Sequence, residues 1–401
     1  MGTELLDLDD AQQRVIGHAH PLRPEHVLLE HAGGRVLARD VTASIPLPRF
    51  DHSTMDGYAI VATDQSSWSL PVAFEVSAGS SPQELMPDTA CRIFTGAPLP
   101  RFATAVVPQE HVRREGNVIH GSRLVFPGAF VRKTGEDVEP GSQVLRRGVR
   151  LLPGALSLLA MLDETRVFVH RAPRVAILCT GNEIRLAGTM GTPFQVPESV
   201  SIGVLALALQ ARASAFVLPK VSDERHATAR ALDLALAQSD LVVTVGGVSV
   251  GDHDHVRGAL DDVGARLEFW KVAIKPGKQI AFGYKDNALF LGLPGNPASA
   301  LVTFALFGMP LLRALQGDRT PFASRMSGHL EHAHPRTLER DEIARACFRW
   351  DNGKLYAKIH RQQASGAATS LAQSDGVVIV PRGEGEMAEG ARCDAIRWID
   401  F

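Results

Sequence analysis

The sequence is poor in cysteine, and the four it has, Cys91, Cys179, Cys347 and Cys393, are scattered with no CxxC spacing. No zinc site is suggested, and the thiols read as reduced and partly buried, as in a cytoplasmic protein. Excess charge is also lacking. A formal net charge of −2 over 401 residues argues against nucleic acid or an anionic membrane as the main partner. An anionic ligand must then be held by local groups. No apolar run approaches the ~20 residues of a membrane span, and the opening "MGTELLDLDD" is acidic where a signal peptide is basic. A cytosolic protein is expected. There is no internal repeat, no low-complexity tract, no Gly-x-Ser-x-Gly elbow and no Cys–His nucleophile legible from spacing.

What is present is a globular composition, with 45% hydrophobic and 21% charged residues, in a chain long enough for about two to four domains. Residues 1–40 look helical, in two amphipathic pieces separated by Pro21 and Pro24. From Val41 the chain turns to short β-branched runs such as "YAIVAT", "FEVSAG" and "NVIHG", as in a small β-rich domain. "LLPGALSLLAMLDE" then reads as a helix. From Arg171 to about Gly317 strands and helices alternate, which predicts a parallel, doubly wound sheet with its ligand beyond the C-terminal strand ends. "RLEFWKVAI" is taken there as one strand. The last stretch returns to short strands with turns ("DNGK", "PRGEGE"), consistent with a small β-barrel. The expected domains are 1–46 completed by 140–170, 47–139, 171–320 and 321–401.

"DLVVTVGGVSVGDHDHV" begins like a phosphate-binding strand and loop but reaches Asp252, His253, Asp254 and His255 instead of the lysine of a Walker loop. Three more loops, "TGNEI", "KVAIKPGK" and "GLPGNPAS", fall at predicted strand ends and converge if the sheet is parallel. Any one of them is more simply a turn; four on one edge make a crevice the better reading. Asn296 suits an N-cap and Pro297 a first turn, leaving free N–H groups for an anion. Lys271 and Lys275, four apart in an extended chain, share a face, and Pro276-Gly277 turn Lys278 towards them. Such a cluster suits oxyanions, although Lys278 is as well explained as solvated. The carboxylates Glu183, Asp223, Asp252, Asp254, Asp56, Glu136 and Asp137 suit Mg²⁺ facing a phosphate. Asp223 serves equally as a helix N-cap, and Asp252 as the cap of the next helix. His253 and His255 diverge and read as solvated.

Taken in order, "STMDGYAI", "RIFTGAPLP", "AVVPQEHV", "GEDV", "CTGNEI", "GGVSVGDHDHV", "FWKVAIKPGKQIAFG" and "GLPGNPASALVTF" resemble the motif series of the MoeA family of molybdopterin molybdenumtransferases, related to the gephyrin E domain. The resemblance implies a helical linker region, a β-rich domain, an α/β molybdopterin-binding domain and a C-terminal β-barrel. It implies a homodimer whose cleft joins the α/β domain of one subunit to the β-rich domain of the other, and contacts with other molybdenum cofactor biosynthesis proteins. The activity it implies is insertion of molybdate into adenylylated molybdopterin with release of AMP, assisted by Mg²⁺. Carried over by motif, the cleft residues are Asp56, Thr95, Asp137, Glu183, Asp223, Asp254, Lys271, Lys275, Pro294 and Pro297. Gly247 and Ser249 lie under the ligand, Ser365 and Gly366 match a C-terminal Ser-Gly turn, and Glu183, Asp223 and Asp254 are the metal-facing set. The chain departs from the family at "GTPFQVPES", where Val196 and Pro197 replace a Ser-Asn pair. On that departure rests the alternative of a catalytically weakened molybdopterin-binding or scaffold paralogue. Molybdate and tungstate are not separable by sequence.

Overall fold

The computed structural model describes residues 5–247 and 255–401. The alternating segments of the middle of the chain condense into a six-stranded sheet. Its strands are β1 (Arg174–Cys179), β2 (Ser214–Val217), β3 (Leu241–Val245), β4 (Arg266–Lys271), β5 (Gln279–Lys285) and β6 (Ala288–Leu293), in the spatial order β2-β1-β3-β6-β5-β4. Both faces are apolar because helices cover both. Val175, Ile177, Val243 and Leu291 pack on one side against helices Val200–Gln210 and Pro297–Leu315. Ala176, Leu178, Val242 and Phe290 pack on the other against Arg225–Gln238 and His255–Asp262. This is the doubly wound arrangement.

The sheet is mixed, however, not parallel throughout. β2, β1, β3 and β6 are parallel, β5 runs antiparallel to β6, and β4 antiparallel to β5. The sequence reading passed over β5 because no helix precedes it. Its signal is the two-residue turn Asp286-Asn287 between the paired Lys285 and Ala288, with Asp286 at φ 52, the chemistry of a tight hairpin. Two reversals restore direction, so β4 points the same way as β6. Across one edge Cys179 lies opposite Val245, Val245 opposite Leu293, and Lys271 opposite Gln279. The four loops therefore do leave from one edge, for a different reason from the one expected.

"RLEFWKVAI" is not one strand. β4 ends at Lys271, and Ile274–Lys275 pairs instead with the C-terminal barrel. The helical reading of residues 1–40 also holds only in part. Helix Leu8–Gly17 lays Leu8, Ala11 and Val15 into the α/β core, and Gln12 Nε2 donates to Leu306 O at 2.7 Å. Beyond it, Pro24–Leu28 is a strand paired antiparallel with Arg166–His170, and only one 3₁₀ turn, Leu29–His31, follows. Pairing with the β-branched "RVFVH" overrides a weak local helix signal. The expectation about apolar runs needs correcting too: Pro297–Leu315 is 19 residues long with mean hydropathy 1.7. It is 89% buried, so its apolarity serves the core. A π turn, Phe304–Gly308, interrupts it.

The β-rich domain is a six-stranded sheet in the order Ala105–Pro108, Gly57–Ile60, Ala90–Ile93, Trp68–Val76, Val118–Gly121, Val112–Glu115. Tyr58 and Ile60 face one core and Ala59 the other, as a period of two requires. At the C-terminal end, β7 (Met326–Leu330), β8 (Asp341–Asp351), β9 (Lys354–Ile359), β10 (Gly376–Val380) and β11 (Arg392–Arg397) close as β8-β9-β7-β11-β10-β8, a five-stranded barrel.

Candidate functional site

The edge shared by β1, β3, β6 and β4 is floored by glycine. Gly246, after β3, has φ +82 and donates its N–H to Leu293 O at 3.1 Å. That donor is thus spent within the sheet and not on a phosphate. Gly247 has φ +67, and a Cβ there would sit 2.4 Å from Val256, so no larger residue fits. A Cβ on Gly295 would lie 3.7 Å from Gly246 Cα, which places the loops after β3 and β6 side by side. Ser249, Asp252, His253 and Asp254 lie outside the described residues.

After β1, the N–H of Asn182 donates to Asp223 Oδ2 at 2.9 Å. The helix N-cap reading of Asp223 does not hold. The N-cap position of helix Arg225–Gln238 is Glu224, and no side chain caps it; Asp223 clamps the Thr180–Ile184 loop. Glu183 belongs to the same loop, exposed, with both carboxylate oxygens 2.7 Å from where a Cβ on Gly181 would stand. The Val196-Pro197 departure forms a short parallel pairing with Ile184–Arg185, and Val196 N–H donates to Glu183 O at 2.8 Å. Helix Val200–Gln210 is then capped by Glu198, whose Oε1 accepts the Ser201 N–H at 2.8 Å and whose Oε2 accepts the Ser201 hydroxyl.

Lys271 and Lys275 do not share one extended face, because the strand breaks between them. Lys275 Nζ lies 3.3 Å from Glu342 Oε1 of the barrel. The Lys-Pro-Gly turn lies against helix Pro297–Thr303: Gly277 has φ +103, and a Cβ there would be 2.4 Å from Thr303 Oγ1. Pro294 follows β6, and Pro297 takes the first helical position; Asn296 stands at the N-cap, but its side chain makes no capping bond. The N–H of Ala298 donates to Ser365 O at 3.0 Å. A barrel loop thus takes one of the donors expected to be free for an anion, and Ser365 is brought to the edge. Arg345, fully buried, holds that loop through Nε to Ser370 Oγ at 3.0 Å and Nη2 to Gln362 O at 3.0 Å and Ala364 O at 3.1 Å. Its Nη1 is buried and has no partner among the described residues.

The β-rich domain carries a second polar set. Asp56 Oδ1 accepts the Thr95 N–H and hydroxyl, each at 2.8 Å. The Thr95 N–H, then its hydroxyl, hold the Asp56 carboxyl below the usual carboxylate range. Arg92 is sandwiched between Tyr58 and Phe94 and reaches Gln109 Oε1 at 2.6 Å. Asp137 is exposed, 3.9 Å from Arg132, with its N–H on Leu47 O. Asp51, which sequence reading missed, accepts from Lys133 Nζ at 2.7 Å and from the Thr134 N–H and hydroxyl at 2.8 and 2.9 Å. These bonds stay within the β-rich domain.

Family models match the chain in three consecutive blocks: the MoeA N-terminal region (domain I and II) over residues 6–162, a probable molybdopterin binding domain over 176–314, and the MoeA C-terminal region (domain IV) over 328–398. The chain belongs to the MoeA family. Curated relatives named molybdopterin molybdenumtransferase include one from Haemophilus influenzae, 40% identical over 79% of each chain. Another, from Bacillus subtilis, is 34% identical over 94% of this chain and 90% of its own. The crystal structure of a molybdopterin biosynthesis MoeA protein from Pyrococcus horikoshii OT3 superimposes with a TM-score of 0.84 at 28% identity, over 98% of this chain and 100% of that one.

Within this MoeA-family chain the residues that sequence reading missed share one property: each acts across a long stretch of chain. Asp51 meets Lys133 over 82 residues, and Arg345 gathers a loop 17 to 25 residues on. Cys347 Sγ lies 3.3 Å from His360 Nε2, a Cys–His contact that spacing did not reveal because a hairpin makes it.

Proposed function

We propose that the chain is a molybdopterin molybdenumtransferase, which inserts molybdate into adenylylated molybdopterin and cleaves the pyrophosphate to release AMP. The observation that carries this is one sheet edge shared by the Thr180–Ile184 loop, Gly246-Gly247, Lys271 and Pro294–Pro297, to which the barrel's Ser365 is joined. In this reading Lys271 and Lys275 hold the oxyanion, Gly247 and Ser249 lie under the pterin phosphate, and Glu183, Asp223 and Asp254 serve the pyrophosphate. Glu183 and Asp223 are hard oxygen donors in or clamped to one loop, which fits Mg²⁺. Among the described residues no third ligand joins them, and Asp254 is the candidate. Bound there, Mg²⁺ neutralises pyrophosphate charge; the chain's own part is to orient the phosphates and the attacking water.

Asp56, Thr95 and Asp137 complete the cleft from the partner of a homodimer, a reading supported by their side-chain polar contacts, the Asp56–Thr95 hydrogen bonds and the Asp137–Arg132 ion pair, lying in the β-rich domain. The weakened-paralogue alternative rested on Val196-Pro197, and Glu198 takes over the capping of the helix that follows. The reaction is cytoplasmic, as the four free thiols suggest. The deciding experiment mixes the protein with adenylylated molybdopterin, molybdate and Mg²⁺ and follows AMP. Stoichiometric binding without AMP release would show a scaffold instead.

A further inference from the structure

Glu342 opens the buried run of barrel strand β8, just before the fully buried Ile343 and Ala344, and its side chain is only 5% exposed. Its two oxygens are divided between two domains. Oε1 lies 3.3 Å from Lys275 Nζ of the α/β domain, and Oε2 lies 3.3 Å from His334 Nε2 of the barrel. The backbone repeats the connection. Lys275 is the register partner of Glu342, Asp341 N–H donates to Ala273 O at 2.9 Å, and Ala273 N–H donates to Leu6 O at 2.8 Å. The short segment bearing Lys275 is therefore held from both sides.

Stability alone does not call for this carboxylate. A buried acid bears a desolvation cost, and an apolar residue of similar size does at least as well in such a place. Lys275, 41% exposed, could solvate its charge without help. What the pairing does supply is a fixed position for an ammonium on a flexible four-carbon stem, which would otherwise lose freedom on meeting a ligand. One of the three N–H donors goes to Glu342, leaving two. Burial pushes the Glu342 carboxyl up, and His334 and Lys275 outweigh that and hold it below its usual range. The fully buried Arg345 lies three residues along the strand, and the Glu342 charge acts on it.

We infer that Glu342 is a positioning residue for Lys275: from the barrel it holds the lysine's ammonium in place for an oxyanion, and His334 holds Glu342 in turn. The inference rests on the reading in which Lys275 meets molybdate. It makes the seating of the barrel on the α/β domain a determinant of oxyanion affinity.

A double-mutant cycle in the full-length protein tests it, with AMP release as the assay and molybdate varied at saturating adenylylated molybdopterin. Glu342→Gln should raise the molybdate KM about three- to tenfold with a smaller change in kcat. Lys275→Ala should raise it further, and the double variant should be no worse than Lys275→Ala alone, since Glu342 acts only through that lysine. His334→Gln should shift the KM in the same direction by less, and carries the test if Glu342→Gln does not fold. An unchanged molybdate KM in Glu342→Gln or His334→Gln, or losses that simply add in the double variant, overturns the positioning role while leaving Lys275 as a ligand. An unchanged KM in Lys275→Ala overturns the oxyanion reading of Lys275 and this inference with it.

Discussion

Removing the Glu198 side chain should uncap the helix that opens beside the Glu183 loop. Two of its contacts are at stake: the Ser201 N–H at 2.8 Å and the Ser201 hydroxyl. Ser199 at the N-cap position makes no side-chain capping bond, and the Cys179 sulfur beside Ser201 is only a weak acceptor. Ser201 is 2% exposed, so in Glu198→Ala its N–H and hydroxyl are left only that sulfur and are largely without water. Loss of a cap costs about 0.5–2 kcal/mol, and a buried donor left unpaired about 1–3 kcal/mol. These describe one lost interaction from two sides and do not sum. The expected cost is about 1–3 kcal/mol, or roughly 3 °C per kcal/mol in the melting of that domain. Glu198→Gln keeps one acceptor oxygen for the Ser201 N–H, its amide N–H can donate to a reoriented Ser201 hydroxyl, and the main loss is the charge at the helix start, worth about 0.3–1 kcal/mol. Glu198 N–H also donates to Arg185 O at 2.7 Å, next to the strand pairing that positions Glu183. AMP release should therefore fall in Glu198→Ala by more than in Glu198→Gln. Calorimetry of both variants, with AMP release alongside, checks this. Equal melting temperatures for wild type, Gln and Ala would refute the capping argument and reopen the question of what Val196-Pro197 costs the chain.

Gly277→Ala should destabilise by about 2–4 kcal/mol, because φ +103 and Thr303 Oγ1 at 2.4 Å both oppose a Cβ; adding Thr303→Ala should recover the steric part in urea melts. Of the four thiols, Cys91 and Cys179 are pushed by burial up to about 12 and Cys393 up to about 11. A thiol reagent at pH 8 should therefore label one site in the native protein, the partly exposed Cys347 beside His360, as read by peptide mass spectrometry. Burial raises the Asp51 carboxyl, but Lys133 and Thr134 outweigh it and leave it lowered. Its contribution is then complete above the unfolded value of about 3.9 and lost as pH falls through the lower folded value. The stability gap between wild type and Asp51→Asn, open at pH 7, should close in that acid window.

Periodicity made most of the architecture legible. Buried parallel strands such as "DLVVTV" and helices such as "DERHATARALDLALAQ" declare themselves, because both faces of one and one face of the other must be apolar. Strand direction was not legible. Nothing in "QIAFGYKDNALFLGLP" except Asp286-Asn287 tells a hairpin from two strands joined by a crossover. The N-terminal strand Pro24–Leu28 was hidden for a related reason: its partner, Arg166–His170, is over 100 residues away, and a five-residue segment takes the conformation its neighbour offers.

At the site, what was legible was whatever a local rule constrains: glycines with positive φ, a proline at a helix start, lysines around a turn. Of the barrel's part, Ser365 was legible only through the family resemblance; Glu342 and Arg345 were hidden, although the sequence held a sign of them. "DEIARAC" runs through the most buried part of β8, and Glu342 and Arg345 interrupt it with opposite charges. The two are three apart, so on an extended chain they point to opposite faces and cannot satisfy each other directly. Each must then find its partner elsewhere. Glu342 finds Lys275 and His334, and Arg345 finds the carbonyls of the Ser365 loop. Lys275 lies on the segment that follows β4, and the Ser365 loop meets the start of helix Pro297–Thr303. Of these two buried charges, Glu342 ties the barrel to the α/β domain, and Arg345 shapes a loop of its own barrel that meets the helix after β6.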